Sequence, residues 1–152
     1  MIEVTQDPIA PAALLEAFSR GRVATGAIVS FSGLTRGGDA AAPVTLLTLD
    51  AYPGFTEKVM AEIEAEARDR FDIQDVLAVH RWGEIAVGEP IIFVAVAAAH
   101  RRPAFEAADY LMDQFKTRAP FWKKEEGPTG ARWIEPRQQD HDDVARWAKE
   151  TS

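Results

Sequence analysis

The chain has 152 residues, 47% apolar and 27% charged, with a formal net charge of −7. That is a globular profile, large enough to bury a real core, and it excludes a disordered or fibrous chain and a general nucleic-acid binder, which needs a broad basic footprint. With no cysteine, disulfides, thiolate metal sites and cysteine nucleophiles are excluded. Three scattered histidines lack any H-x-x-x-H spacing, so no metal and no cofactor are expected. Neither a signal peptide nor a membrane span is legible, so a cytoplasmic protein is expected.

"MIEVT" reads as a strand, and "AALLEAFSRG" as a helix closed by Gly21. "TGAIVSFSGL" alternates, with Ala27, Val29 and Phe31 on one face and Ser30 and Ser32 on the wetter one. The loop "TRGGDAAAP" leads to the strand "VTLLTLDAY". In "FTEKVMAEIEAEARDRF" the four-residue spacing of Phe55, Val59, Ile63 and Ala67 predicts an amphipathic helix. "IQDVLAVHRWG" and "EPIIFVAVAAAH" are strands joined through "EIAVG", the second apolar enough to be covered on both faces. "RPAFEAADYLMDQFK" is a helix whose expected buried stripe is Phe105, Ala108, Met112 and Phe115. "FWKKEEGPTGARWIEP" reads as two strands about the turn "GPTG". The polar segment 136–152 is either a last helix or a frayed tail. The whole chain, 1–152, reads as one α+β domain with a mainly antiparallel sheet and flanking helices.

For so acidic a chain, the cations of "FKTRAPFWKKEE" are conspicuous: Lys116, Arg118, Lys123 and Lys124 crowd around a proline and two aromatics. A solvated charged face is one reading and an anion site the other. Three more places gather cations: Arg36 before Gly37, His80-Arg81 at a strand end, and His100-Arg101-Arg102 at a helix start. The last has a physical reason to hold an anion, because free N–H groups and the helix dipole favour negative charge there. For His80-Arg81 a solvated strand end is the stronger reading. Lys116 borders the apolar stripe of its helix, so its stem packs while its ammonium reaches water.

The ordered motifs "GAIVSFSGLTR", "LTLDAYPGFTEKVMAEI", "HRWGEIAVGE", "VAVAAAHRRPAFEA", "MDQFKTRAPFWKKE" and "RWIE" together resemble the large, catalytic subunit of molybdopterin synthase, over roughly residues 3 to 135. The resemblance implies that family's hammerhead-like α/β fold. It also implies a sulfurtransferase that installs the dithiolene sulfurs of molybdopterin on cyclic pyranopterin monophosphate. The sulfur donor would be a small ubiquitin-like subunit bearing a C-terminal Gly-Gly thiocarboxylate, and the large subunit a homodimer within a heterotetramer. Carried over by motif, Lys116 and Lys123 are the catalytic candidates, and Arg36, His100, Arg101 and Phe31 the substrate-binding ones; Arg102 is left open. Thr35 and the Gly- and Ala-rich loop after Arg36 depart from the family pattern, which puts loop contacts to substrate in question.

On this reading Arg36, His100 and Arg101 hold the precursor, the last two from the same or the neighbouring subunit. Lys116 meets the partner's anionic tail and Lys123 binds substrate and moves protons, though the two roles could be exchanged. A lysine serving as base must sit where its charge is disfavoured. Arg118, Lys124 and the rings of Phe121 and Trp122 are the expected cause. The run "IIFVAVAAA" with Phe31, Phe121 and Trp122 suggests more apolar surface than one small sheet needs, and hence a dimer. The competing class is a non-catalytic dimeric module that binds an anionic metabolite or a partner tail. Turnover separates the two.

Overall fold

A computed structural model describes residues 1–149. In chain order the elements are β1 (Ile2–Thr5), α1 (Pro11–Ser19), β2 (Ala27–Leu34), β3 (Leu46–Ala51), α2 (Phe55–Arg70), β4 (Asp75–Arg81), β5 (Gly83–Ala86), β6 (Pro90–Ala98), α3 (Arg101–Arg118), β7 (Phe121–Gly127), β8 (Gly130–Ile134) and α4 (Gln138–Lys149). The strands divide into two four-stranded sheets, β1-β4-β6-β2 and β5-β3-β7-β8. Every pairing is antiparallel except β1 with β4.

"EIAVG", expected as a connection, contributes β5 and thereby the division. Gly83 has φ +91 and Gly88 φ +87, a left-handed backbone that β-branched residues avoid. The chain leaves the first sheet at Gly83, pairs with β3, and returns at Gly88. Arg81 closes this excursion: its buried guanidinium donates to Glu89 Oε2 at 2.5 Å and to the Glu84 carbonyl at 3.3 Å. His80 stacks on Phe121, centroids 3.8 Å apart. The His80-Arg81 pair is therefore a packed junction between the sheets rather than a solvated strand end.

The continuous apolar character of β6 follows from its place. Val94 and Val96 face Met60, Ile63 and Leu111 of α2 and α3, while Phe93, Ala95 and Ala97 face Ile9 and Phe18. Residues 92–98 are all buried within the chain itself. The expectation that this run supplies a dimer surface is thus corrected: both faces of β6 are already covered. A fully buried side chain such as Leu111 contributes about 1.5–3 kcal/mol.

Each expected helix stripe holds in its C-terminal half or in part, with Ile63 and Ala67 of α2 and Ala108 and Phe115 of α3 buried, and departs at the helix starts. In α2 the buried residues are Thr56, Met60, Ile63 and Ala67, and Phe55 is 57% exposed. Thr56 is drawn inward because its hydroxyl accepts from the Tyr52 N–H and donates to the Pro120 carbonyl. In α3 the small residues Ala104, Ala107 and Ala108 face inward with Leu111 and Phe115, so the helix approaches closely, Phe105 turns out and Met112 is half-buried. The last segment is an anchored helix over its described part. Trp147 of α4 packs edge-on against Phe71 and Tyr110, its indole donates to Asp113, and Arg146 pairs with Asp109 and Asp113.

Candidate functional site

The cation-rich stretch does not stay together. Arg118 makes a two-pronged pair with Glu66 of α2, which holds the Glu66 carboxyl below its ordinary value despite partial burial. Lys123 and Lys124 alternate across β7, so their side chains leave opposite faces. Lys124 pairs with Glu126 and lies 5.8 Å from the exposed Trp133 ring. Trp122 shares that outer face and is 57% exposed. Lys123 points the other way, 3.4 Å from Glu125 and 42% exposed. Of the neighbours expected around Lys123, Phe121 shares its face of the strand, but the others are directed elsewhere. Arg118 and Lys124 each have a carboxylate of their own, and Trp122 stands on the far side of the sheet.

Lys123 lines a cleft of about 320 Å³ between the ends of β2 and β6 and the inner face of the second sheet. Leu34, Leu47 and Ile91 give it apolar walls. Arg36, Lys123, Arg132 and Arg137 face Asp39 and Glu125 there, four cations against two carboxylates. Arg132 leans on Glu125 at 3.6 Å, but neither Arg36 nor Arg137 has a carboxylate partner among the described residues. Unpaired guanidiniums in a concavity of an acidic chain are groups that an anion would satisfy.

The position of Arg36 is fixed by its neighbour. The Thr35 N–H donates to the Glu89 carbonyl at 3.0 Å, and the Gly88 N–H donates to the Thr35 carbonyl at 2.8 Å. The "HRWGEIAVGE" motif therefore braces the cleft from behind: Glu89 holds Arg81 by its side chain and Thr35 by its backbone. The divergent loop after Arg36 is ordered as well. Asp39 Oδ1 accepts from the Ala41 and Ala42 N–H groups, and Val44 N–H donates to the Gly37 carbonyl. Gly38, at φ +69, passes so close to Ala42 that a Cβ would stand 2.2 Å from its carbonyl oxygen. Gly38, Asp39 and Ala42 line the cleft, so this loop forms part of its wall.

Lys116 approaches from α3. Its side chain is 58% exposed and its ammonium donates to Asp140 Oδ1 at 3.1 Å. The other oxygen of Asp140 accepts the Arg137 N–H at 2.9 Å. One carboxylate thus joins Lys116 to a residue that lines the cleft. Burial pushes the Asp140 carboxyl up, but Lys116 and the Arg137 N–H outweigh it and hold it below its ordinary value.

His100 and Arg101 lie elsewhere. They are exposed at the N-terminus of α3, beyond the far end of β6. Ile91 of the cleft and Ala98 are seven residues apart along that strand, about 23 Å at a strand rise of about 3.3 Å. Phe31 is 43% exposed on β2, opposite Val94, and is not part of the cleft wall. Within one chain, then, Arg36 and Lys123 come together, Lys116 is tied to their margin, and His100 and Arg101 do not reach them. Sequence reasoning missed Arg132, Arg137 and Asp140 as site residues. Arg132 stood in the quoted "RWIE", and its alternation with Trp133 along a strand was the available signal.

Fold and cleft define an α+β protein with a pocket whose lining carries more cations than carboxylates. Residues 4–118 match the MoaE protein family. The chain is 55% identical over 150 residues to the molybdopterin synthase catalytic subunit of Caulobacter vibrioides, covering 99% of each chain, and 49% identical over 122 residues to that of Escherichia coli, covering 80% of this chain and 81% of the relative. Its structure is similar to the molybdopterin biosynthesis MoaE protein of Burkholderia ambifaria, with a TM-score of 0.82 at 38% identity over 97% of each chain. It is also similar to the molybdopterin synthase of Staphylococcus aureus, with a TM-score of 0.80 at 28% identity over 88% of this chain and 96% of that one. The chain belongs to the MoaE protein family.

Proposed function

We propose that this chain is the catalytic subunit of a molybdopterin synthase, a cytoplasmic sulfurtransferase that converts cyclic pyranopterin monophosphate into the dithiolene of molybdopterin. The observation that carries the reading is the cleft, where unpaired Arg36 and Arg137 and the ammonium of Lys123 converge in a MoaE-family chain of net charge −7. Arg36 and Arg137 bind the precursor's phosphate and polar edge, each offering the planar fork that suits phosphate oxygens. Lys123, beside Glu125, contacts the substrate and moves protons. Lys116 at the margin receives the anionic end of a small subunit's Gly-Gly tail. A solved complex of subunits 1 and 2 of the Helicobacter pylori molybdopterin-converting factor shares the fold, with a TM-score of 0.75 at 20% identity.

The chemistry runs in two rounds. In each round the thiocarboxylate sulfur of the tail attacks a side-chain carbon of the precursor. It displaces the oxygen bonded there, which departs on the phosphate or, once protonated, as water. Lys116 stabilises the negative charge that develops on the acyl oxygen when water attacks the resulting thioester. One oriented donor of this kind supplies roughly 3 kcal/mol. Water then cleaves the resulting thioester, leaving sulfur on the pterin and an ordinary carboxylate on the spent tail. A second charged tail delivers the second sulfur.

His100 and Arg101 belong to this site only through a second copy. At about 23 Å along β6 from the cleft they serve the partner protomer's precursor. The exposed Phe31 and Phe105 rings support a homodimer, and one small subunit per protomer makes a heterotetramer. Calorimetric titration of precursor tests the cleft: Arg36→Ala and Arg137→Ala should each weaken binding at least about tenfold. Unchanged affinity in both would remove the cleft from substrate binding.

A further inference from the structure

Among the described residues, Asp140 hydrogen-bonds both to the lysine and to the cleft wall. Its Oδ1 accepts from Lys116 Nζ at 3.1 Å, its Oδ2 accepts from the Arg137 N–H at 2.9 Å, and its own N–H donates to the Arg137 carbonyl at 3.0 Å. The Asp140 side chain is only 14% exposed while the lysine side chain it holds is 58% exposed. Lys116 ends a flexible four-carbon stem, and an unheld ammonium at such exposure samples many rotamers. The Arg137 turn, in contrast, is closed by two hydrogen bonds.

We propose that Asp140 is a positioning residue for sulfur transfer: it fixes the Lys116 ammonium at the cleft margin where the partner's tail must present its acyl carbon, and sets the Arg137 guanidinium in the same cleft through the shared turn. The inference rests on the proposed function, and gives a positioning task to a segment that the sequence leaves as either a last helix or a tail. The rival explanation is that Asp140 merely caps α4. Asparagine separates the two. From the third helical position its side-chain oxygen can still accept the Arg137 N–H, as the third residue of a capping box does, but it carries no charge to hold an ammonium.

The test uses the full chain with precursor and a thiocarboxylated small subunit, at a temperature where circular dichroism shows every variant folded. Asp140→Asn should keep Tm and the KM for precursor while kcat falls about tenfold or more, because misplacing a catalytic group by an ångström is costly. Asp140→Glu, which keeps the charge, should lose less. Lys116→Ala runs alongside as the control for the underlying reading. If Lys116→Ala is inactive and Asp140→Asn turns over like wild type, Asp140 is only a cap and this inference fails while the proposed function stands. Full activity in Lys116→Ala sinks the proposed role of Lys116 and this inference with it. Equal losses in Asp140→Asn and Asp140→Glu, tracking a lowered Tm, show a structural role and overturn the proposal. Faster turnover or tighter tail binding in Asp140→Asn also overturns it, since Asp140 would then compete with the tail rather than serve it.

Discussion

Acidification from about pH 7.5 to about 4.5 should cost the folded chain roughly 2–3 kcal/mol through the single side chain of His80. Its ring lies half-buried at the junction of the two sheets, stacked on Phe121, with Nδ1 against the Arg81 carbonyl. Burial pushes its pKa from 6.5 down to about 4, outweighing the carbonyl contact, which favours the charged ring. Between those values the unfolded chain binds a proton that the folded chain refuses, so stability rises with pH across the window and is lost as pH falls through it. The gap of about 2.5 units caps the effect near 3.4 kcal/mol, most of it realised by about pH 4.5. Urea denaturation at a series of pH values, followed by circular dichroism, measures this against His80→Gln, which does not titrate. The wild-type curve should fall more steeply by up to about 1.4 kcal/mol per pH unit between about pH 4.5 and 6. Parallel curves would refute the reasoning and show that the ring accepts its proton in place. Phe121 begins the strand that carries Lys123, so activity should fade over the same interval.

Lys116→Ala should leave the circular dichroism spectrum intact, since the side chain is 58% exposed, and abolish dithiolene formation; a normal yield removes Lys116 from the mechanism. Leu111→Ala, at a fully buried position between α3 and the first sheet, should cost about 2–5 kcal/mol in urea denaturation, and a smaller loss would mean the core closes over the gap. The chain alone should scatter light as a dimer at micromolar concentration, and a monomer would contradict a shared site. Mixing Lys123→Ala with Arg101→Ala, each inactive alone, should restore activity, because one site in each mixed dimer regains both residues; no recovery places Arg101 outside the partner's site.

Elements were legible where local pattern decides them. The Gly21 turn, the alternation in β2, the unbroken apolar run of β6 and the "GPTG" hairpin all announce their structure without reference to the rest of the chain. Helix faces were legible only in part: Ile63, Ala67, Ala108 and Phe115 are buried as their spacing predicts, but the first turns are not. Phe55 and Phe105 are the largest side chains at their helix starts and fit an apolar period, yet both are exposed. Thr56 finds partners inside, and the alanines of α3 let it approach the first sheet. The split into two sheets depends on the left-handed backbone at Gly83 and Gly88, which a strand pattern does not reveal. In the site, Arg36 and Lys123 carried a motif signal, and they do meet. Arg137 and Asp140 lie at the polar start of an amphipathic helix, and their roles arise from where α4 docks. Lys123 and Lys124 are adjacent in sequence but on opposite faces of β7, so a count of local charge overstates the cluster.

The most direct measurement of the central claim is a single assay of dithiolene formation from cyclic pyranopterin monophosphate with three sulfur sources in parallel: sulfide, the small subunit bearing a thiocarboxylate, and the same subunit bearing an ordinary carboxylate. The chain has no cysteine and so no persulfide reservoir of its own. Only the thiocarboxylated subunit should give product, with two donors consumed per dithiolene. Efficient turnover with sulfide alone, or precursor that binds and is never converted by the charged subunit, would contradict the account.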